Sequence, residues 1–182
     1  MQHTVSVLVE NHFGVLARVA GLFSARGFNI DSLAVGETQD PEVSRMTVVA
    51  NGDDRVVEQI MKQLNKLVDV IRVEDLTAKD MIARELVLVK IGVNASNRND
   101  IMHVVNTFRA KIVDVSPDSL TIEVTGSEGK IDAMLELLRP FDLKEVVRTG
   151  QIAMARRGEL KAPPRSSAKT ARPAPKKVSK KK

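Results

Sequence analysis

Hydrophobic and polar residues alternate from Thr4 to Glu10 (TVSVLVE), a β-branched run that predicts a half-buried strand. A turn, Asn11-His12-Phe13-Gly14, follows, and Leu16, Val19, Ala20 and Phe23 then recur on one face at helical spacing, which reads Leu16, Val19 and Phe23 as core. Gly27 stands where a left-handed residue ends a helix. Phe28–Gly36 predicts a second strand, Asp40-Pro41-Glu42 a hairpin loop, and Val43–Ala50 a third strand. Asn51-Gly52-Asp53-Asp54 opens a second helix, where Val57, Ile60, Met61, Leu64 and Leu67 keep the 3.6 period and the acids suit the helix dipole. Val70–Asp75 closes a first unit, residues 1–76, in the order βαββαβ.

After a polar connector at 77–83 the same order starts again in a second unit, 84–157. Arg84–Gly92 predicts a strand, and the polar cluster Asn97–Asp100 caps a helix carrying Ile101, Val104, Val105 and Phe108 on one face. Lys111–Val115 and Leu120–Thr125 are two strands joined by the turn Ser116–Ser119. A helix with Ile131, Met134, Leu135 and Leu138 stops near Pro140, and Glu145–Gly150 closes the unit, with Gln151–Ala155 extending or following it. The repeat is one of pattern, not of residue identity. The fold class is therefore α+β: two ferredoxin-like units, each a four-stranded antiparallel sheet with two helices on one face. Sheets of this kind leave a face and two edges open, so association between copies is expected.

Charge changes the picture once it is divided by position. The net charge is +5, but eleven of the 28 lysines and arginines and only one of the 23 acids lie from Arg156 onward. That segment carries +10, and residues 1–155 carry −5. Residues 158–182 hold Pro, Ala, Ser and Lys with almost no bulky apolar side chain, so they predict a disordered basic tail. Aromatic residues make up 3%, all five of them Phe, so the cores must be aliphatic. There is no cysteine, which removes thiolate chemistry and suits a reducing compartment. The N-terminus shows no leader pattern and no run approaches 18 apolar residues, so the expectation is a soluble, cytoplasmic chain with no membrane span.

Catalysis needs a constellation of groups, and the sequence presents none. His3, His12 and His103 are scattered with no metal-ligand spacing, and no phosphate-binding glycine loop or nucleophile elbow occurs. Nucleic-acid modules with this strand order stack bases on sheet aromatics, whereas these central strands carry Val, Met, Thr and Leu. Only the tail is basic enough for nonspecific phosphate contact.

The informative stretch is Glu10–Asp31 (ENHFGVLARVAGLFSARGFNID), where a strand ends, a turn holding Gly14 follows and a helix begins at about Val15. The unpaired N–H groups of a first helical turn, with the positive dipole end behind them, suit a carboxylate. Gly14 permits close backbone approach, and Asn11 can cap the helix or reach a ligand. Against this, Asn-x-x-Gly before an amphipathic helix is also an ordinary cap and turn, His12 is a solvated loop residue, and Asn29 is a turn residue.

The run Asn11-x-x-Gly14-x-Leu16-x-x-Val19-x-x-x-Phe23-x-x-x-Gly27-x-Asn29-Ile30 resembles the signature of ACT domains, amino-acid-sensing regulatory modules of this strand order. With Ser44–Thr47, Gln63–Val70 and Arg84–Lys90, residues 1–157 resemble the small regulatory subunits of acetohydroxyacid (acetolactate) synthase. The resemblance implies a non-catalytic chain whose 1–76 unit is an ACT domain and whose 84–157 unit is an ACT-like domain that helps engage a large subunit. It implies a homodimer through the ACT domains, with valine, sometimes leucine or isoleucine, at the seam. The effector would meet Asn11, His12, Phe13, Gly14, Val15 and Leu16 of one chain and Asn29, Ile30 and Asp31 of its partner. No cofactor is expected in this chain; thiamine diphosphate, magnesium and FAD would belong to the catalytic subunit, which condenses pyruvate to acetolactate. A free-standing ACT-type sensor serving another enzyme or transcription is the alternative.

Overall fold

The computed structural model describes residues 1–25 and 29–156, so the helix end assigned to Gly27 and the tail 158–182 lie outside the described residues. The first unit runs β1 (Gln2–Glu10), α1 (Val15–Ala25), β2 (Ile30–Glu37), β3 (Val43–Asn51), α2 (Asp54–Leu64) and β4 (Val70–Asp75). The second runs β5 (Met81–Gly92), α3 (Arg98–Thr107), β6 (Lys111–Val115), β7 (Ser119–Gly126), α4 (Glu128–Leu138), β8 (Leu143–Arg148) and β9 (Ile152–Ala155). The sheets are ordered β2-β3-β1-β4 and β6-β7-β5-β8, and their strand pairs are antiparallel.

Both cores are aliphatic, as the composition requires. Alternation on β1 and β3 sends Val5, Val7, Met46 and Val48 to one face, where Phe23 of α1 and Ile60 of α2 cover them. In the second unit Val87, Val89 and Ile122 meet Ile101, Ile131 and Leu138 in the same way. Each fully buried aliphatic side chain contributes about 1.5–3 kcal/mol. The first turn of α1 departs from the expected face: Val15 is buried, and Leu16, read as core, is 44% exposed. Asn97 precedes α3 as foreseen but makes no side-chain cap; its Oδ1 accepts from the Asn94 N–H at 2.8 Å and closes the preceding turn.

Two corrections concern the join between the units. The strand read at Arg84–Gly92 begins earlier, at Met81, and pairs Met81–Arg84 with Ala155–Ile152. The closing strand read at Glu145–Gly150 starts at Leu143 and ends at Arg148. The expectation of an open sheet face also fails for the first unit. Thr4, Ser6, Thr47 and Val49 point away from α1 and α2 yet are almost fully buried, because β9 and the start of β5 lie across them. The corresponding face of the second sheet does expose Leu88 and Val147.

On that covered side, β4 supplies a titrating group. Glu74 accepts a 2.6 Å bond from Lys79 and lies 3.3 Å from Arg72, and its carboxyl is held below the usual 4.5, chiefly by the Lys79 bond. A depressed folded-state value means stability that is present above pH 4.5 and lost as pH falls through the native value. Glu74→Gln is therefore expected to lower neutral-pH stability modestly and to flatten the acid limb of a stability-versus-pH curve below that point by the same amount, as read by urea denaturation.

Candidate functional site

At the end of β1 the chain is braced on three sides. The Asn11 N–H donates to Glu42 O at 2.7 Å, and its side-chain Nδ2 donates to Pro41 O at 2.9 Å and Glu37 Oε1 at 3.2 Å. Asn11 thus ties the turn to the β2–β3 hairpin, where the sequence left a helix cap open. His12 Nε2 lies 3.0 Å from Asp69 Oδ1 and 3.3 Å from Glu10 Oε2, and Arg18 Nε lies 2.9 Å from Asp69 Oδ2. Asp69 itself is buried, and its carbonyl accepts the Glu10 N–H at 2.9 Å.

Sequence reading found no cluster with metal-ligand spacing, yet the fold brings donor atoms of Glu10, His12 and Asp69 within 4.8 Å of one another. Asp69 and Arg18 were missed because Asp69 is far from the turn in sequence and meets it only through β1–β4 pairing. Arg18 pairs with Asp69 from the other side, and the group as a whole braces the turn.

Gly14 sits at φ +88°, a conformation that L side chains rarely adopt, and an added Cβ would meet nothing within 4 Å. The first helical bond is the Arg18 N–H to Gly14 O at 3.1 Å. The N–H groups of Leu16 and Ala17 precede it, so α1 offers them at its positive end. Phe13 is fully exposed beside them, whereas the Val15 side chain is in the core, so Val15 can serve only through its backbone.

The other expected contacts lie elsewhere. Asp31 is the extra residue of a bulge in β2, between Ile30 opposite Ala50 and Ser32 opposite Val49. Both of its carboxylate oxygens are held, Oδ1 by Asn29 Nδ2 at 2.8 Å and Oδ2 by Asn51 Nδ2 at 2.6 Å. Ile30 packs against the first core. Asn51 pairs with Gln2 at the start of β1, while Asn11 follows its end. Eight strand residues separate the two ends, about 27 Å at the usual rise. Within one chain, Asn11–Leu16 and Asn29–Asp31 do not meet.

A family model described as the AHAS small subunit-like ACT domain matches residues 5–72, and one described as the small subunit of acetolactate synthase matches residues 84–157. A probable acetolactate synthase small subunit of Methanothermobacter thermautotrophicus is 57% identical over 155 residues, 85% of this chain and 92% of that one. The chain belongs to the acetolactate synthase small-subunit family. The acetolactate synthase small subunit of Mycobacterium bovis is 50% identical over 154 residues, 85% of this chain and 92% of its own. The crystal structure of the small subunit from Thermotoga maritima superposes with a TM-score of 0.80 at 41% identity, covering 87% of this chain and 99% of that one. As a member of this family the chain is a regulatory small subunit, not catalytic on its own, that needs no cofactor itself and works with a catalytic large subunit. Among the described residues no helix is long and apolar enough to cross a membrane.

Proposed function

We propose that this small subunit raises the activity of its large subunit and makes it sensitive to valine, which binds at a seam between the first units of two chains in the cytoplasm. The observation that carries this reading is the division of the expected contacts between the two ends of one edge strand. Among the described residues β2 pairs only with β3, and its outer edge carries backbone groups that no other strand there uses. If two β2 edges pair antiparallel about a two-fold axis, the Asp31 end of one copy comes level with the Gly36–Glu37 end of the other. Glu37, bonded to Asn11, then stands at the same end as the second copy's Asn29–Asp31. Two identical sites follow from the symmetry.

Each site has the chemistry for an amino acid. The Leu16 and Ala17 N–H groups suit the carboxylate, the Asp31 carboxylate suits the ammonium, and the exposed Leu16 and Val35 side chains supply apolar surface for a short branched side chain. The large subunit would contribute thiamine diphosphate, magnesium and FAD and condense pyruvate to acetolactate, the route to valine, leucine and isoleucine. Feedback then requires that valine favour one of two states of the complex, a coupling of about 1–3 kcal/mol in ordinary allosteric systems.

The test is reconstitution. Adding the full chain to an acetolactate synthase large subunit is expected to raise acetolactate formation severalfold and to confer inhibition by valine. No change in either turnover or valine response overturns the reading.

A further inference from the structure

β8 and β9 run along the same neighbour, β5, with Arg148 opposite Val87 and Ile152 opposite Arg84. Three residues, Thr149, Gly150 and Gln151, therefore span two of β5, and the ladder breaks there. Thr149 keeps contact through its N–H, which donates to Leu86 O at 3.1 Å. Gly150 turns at φ +80°, and the Gln151 N–H leaves the sheet to donate to Ser32 Oγ in the first unit at 2.8 Å. This bond is shorter than the Gln2–Glu128 and Gln151–Thr4 bonds between the units, at 3.3 and 3.5 Å. A Cβ at position 150 would stand 2.9 Å from Ser32 Oγ and 3.0 Å from Leu33 O, so only glycine lets the two backbones come this close.

The two sides of this contact differ in rigidity. On the second-unit side Arg148 is fastened to buried Glu85 at 3.4 Å and to Asp132 at 2.9 Å. On the first-unit side Ser32 directly follows the Asp31 bulge, where β2 loses its regular register. A cleft of about 300 Å³ beside it, lined by Asp31, Ser32, Glu128, Arg148 and Gln151, leaves room for the bulge to rearrange.

We propose that Ser32, Gly150 and Gln151 form the joint that transmits effector occupancy at Asn29–Asp31 to the second unit. The proposal rests on the valine-seam reading above. An ammonium group arriving at Asp31 competes with Asn29 and Asn51 for its oxygens, which reshapes the bulge and moves Ser32 against the fixed Gly150–Gln151 corner. Ser32 is a positioning residue here and touches no effector.

The experiment uses the full chain with its large subunit and compares wild type, Ser32→Ala, Ser32→Thr and Gly150→Ala. For Ser32→Ala the expected result is unchanged activation without valine, valine affinity by calorimetry within about twofold of wild type, and activity surviving saturating valine raised severalfold over wild type, as loss of coupling requires. Ser32→Thr, which keeps the hydroxyl, should restore inhibition. Gly150→Ala should uncouple at least as strongly, and in wild type valine should change hydrogen exchange at the Gln151 amide. Inhibition of Ser32→Ala to the wild-type depth at saturating valine overturns the joint, as does loss of valine binding itself in that variant. A wild-type chain that neither binds valine nor confers inhibition removes the seam reading first, and the joint with it.

Discussion

Gly14→Asp is expected to yield a small subunit that still activates its large subunit, to within about twofold, but needs about 100-fold more valine for half inhibition. Two effects add. The φ of +88° costs any L residue roughly 1–2 kcal/mol, and open space around the missing Cβ means that no clash is added to this strain. The aspartate carboxylate then sits beside the Leu16 and Ala17 N–H groups and occupies donors that the effector carboxylate would use. Charge-assisted bonds of this kind are worth about 1.5–3 kcal/mol each, so losing their equivalent accounts for about two orders of magnitude. Gly14→Ala separates the causes, since it carries the backbone strain without the charge and should shift inhibition much less. A valine titration of the reconstituted enzyme reads both variants. Wild-type inhibition in Gly14→Asp would place the effector away from this turn.

Phe23→Ala should have the largest effect on stability. Phe23 is 1% exposed and, among the described residues, is the one aromatic side chain fully buried in the first core, packed with valine, methionine and isoleucine. Truncating a buried phenylalanine costs about 3–5 kcal/mol, against a usual domain stability of 5–15 kcal/mol. Thermal unfolding followed by circular dichroism should move down by about 15–20 °C for a unit of this size. Valine response should be lost with it, since α1 carries both Phe23 and the donors of the site. Phe23→Leu, which refills most of the volume, should recover most of the loss. Equal melting of wild type and Phe23→Ala would mean that α1 does not rest on this core.

Much of the candidate site was legible because its parts are local. The Asn11–Gly14 turn and the helix start at Val15 follow from a dozen consecutive residues, and the structure has them where the pattern put them; the positive φ of Gly14 came only from the structure. What the pattern did not contain is the bracing. Asp69, Arg18, Glu37 and Pro41 hold the turn through contacts between distant segments, and Asn11 was free to be a cap until the hairpin carbonyl took its amide. Leu16 and Val15 exchanged roles because a helical stripe is read to within about one residue at its first turn, where no preceding turn fixes the phase.

Sequence by itself determined the two βαββαβ units, most of the helix positions that enter a core, and the family. Periodicity and turn chemistry act over a few residues, so they survive without the fold. Tertiary structure decided how the units are joined. Four residues, Ile152–Ala155, are too few to show an alternation, and their partner Met81–Arg84 is about seventy residues away. Only strand pairing reveals that this ribbon closes the open face of the first sheet, and that a break in it directs the Gln151 N–H to Ser32. Hydrogen bonds between distant segments depend on register, and register is a property of the assembled sheets.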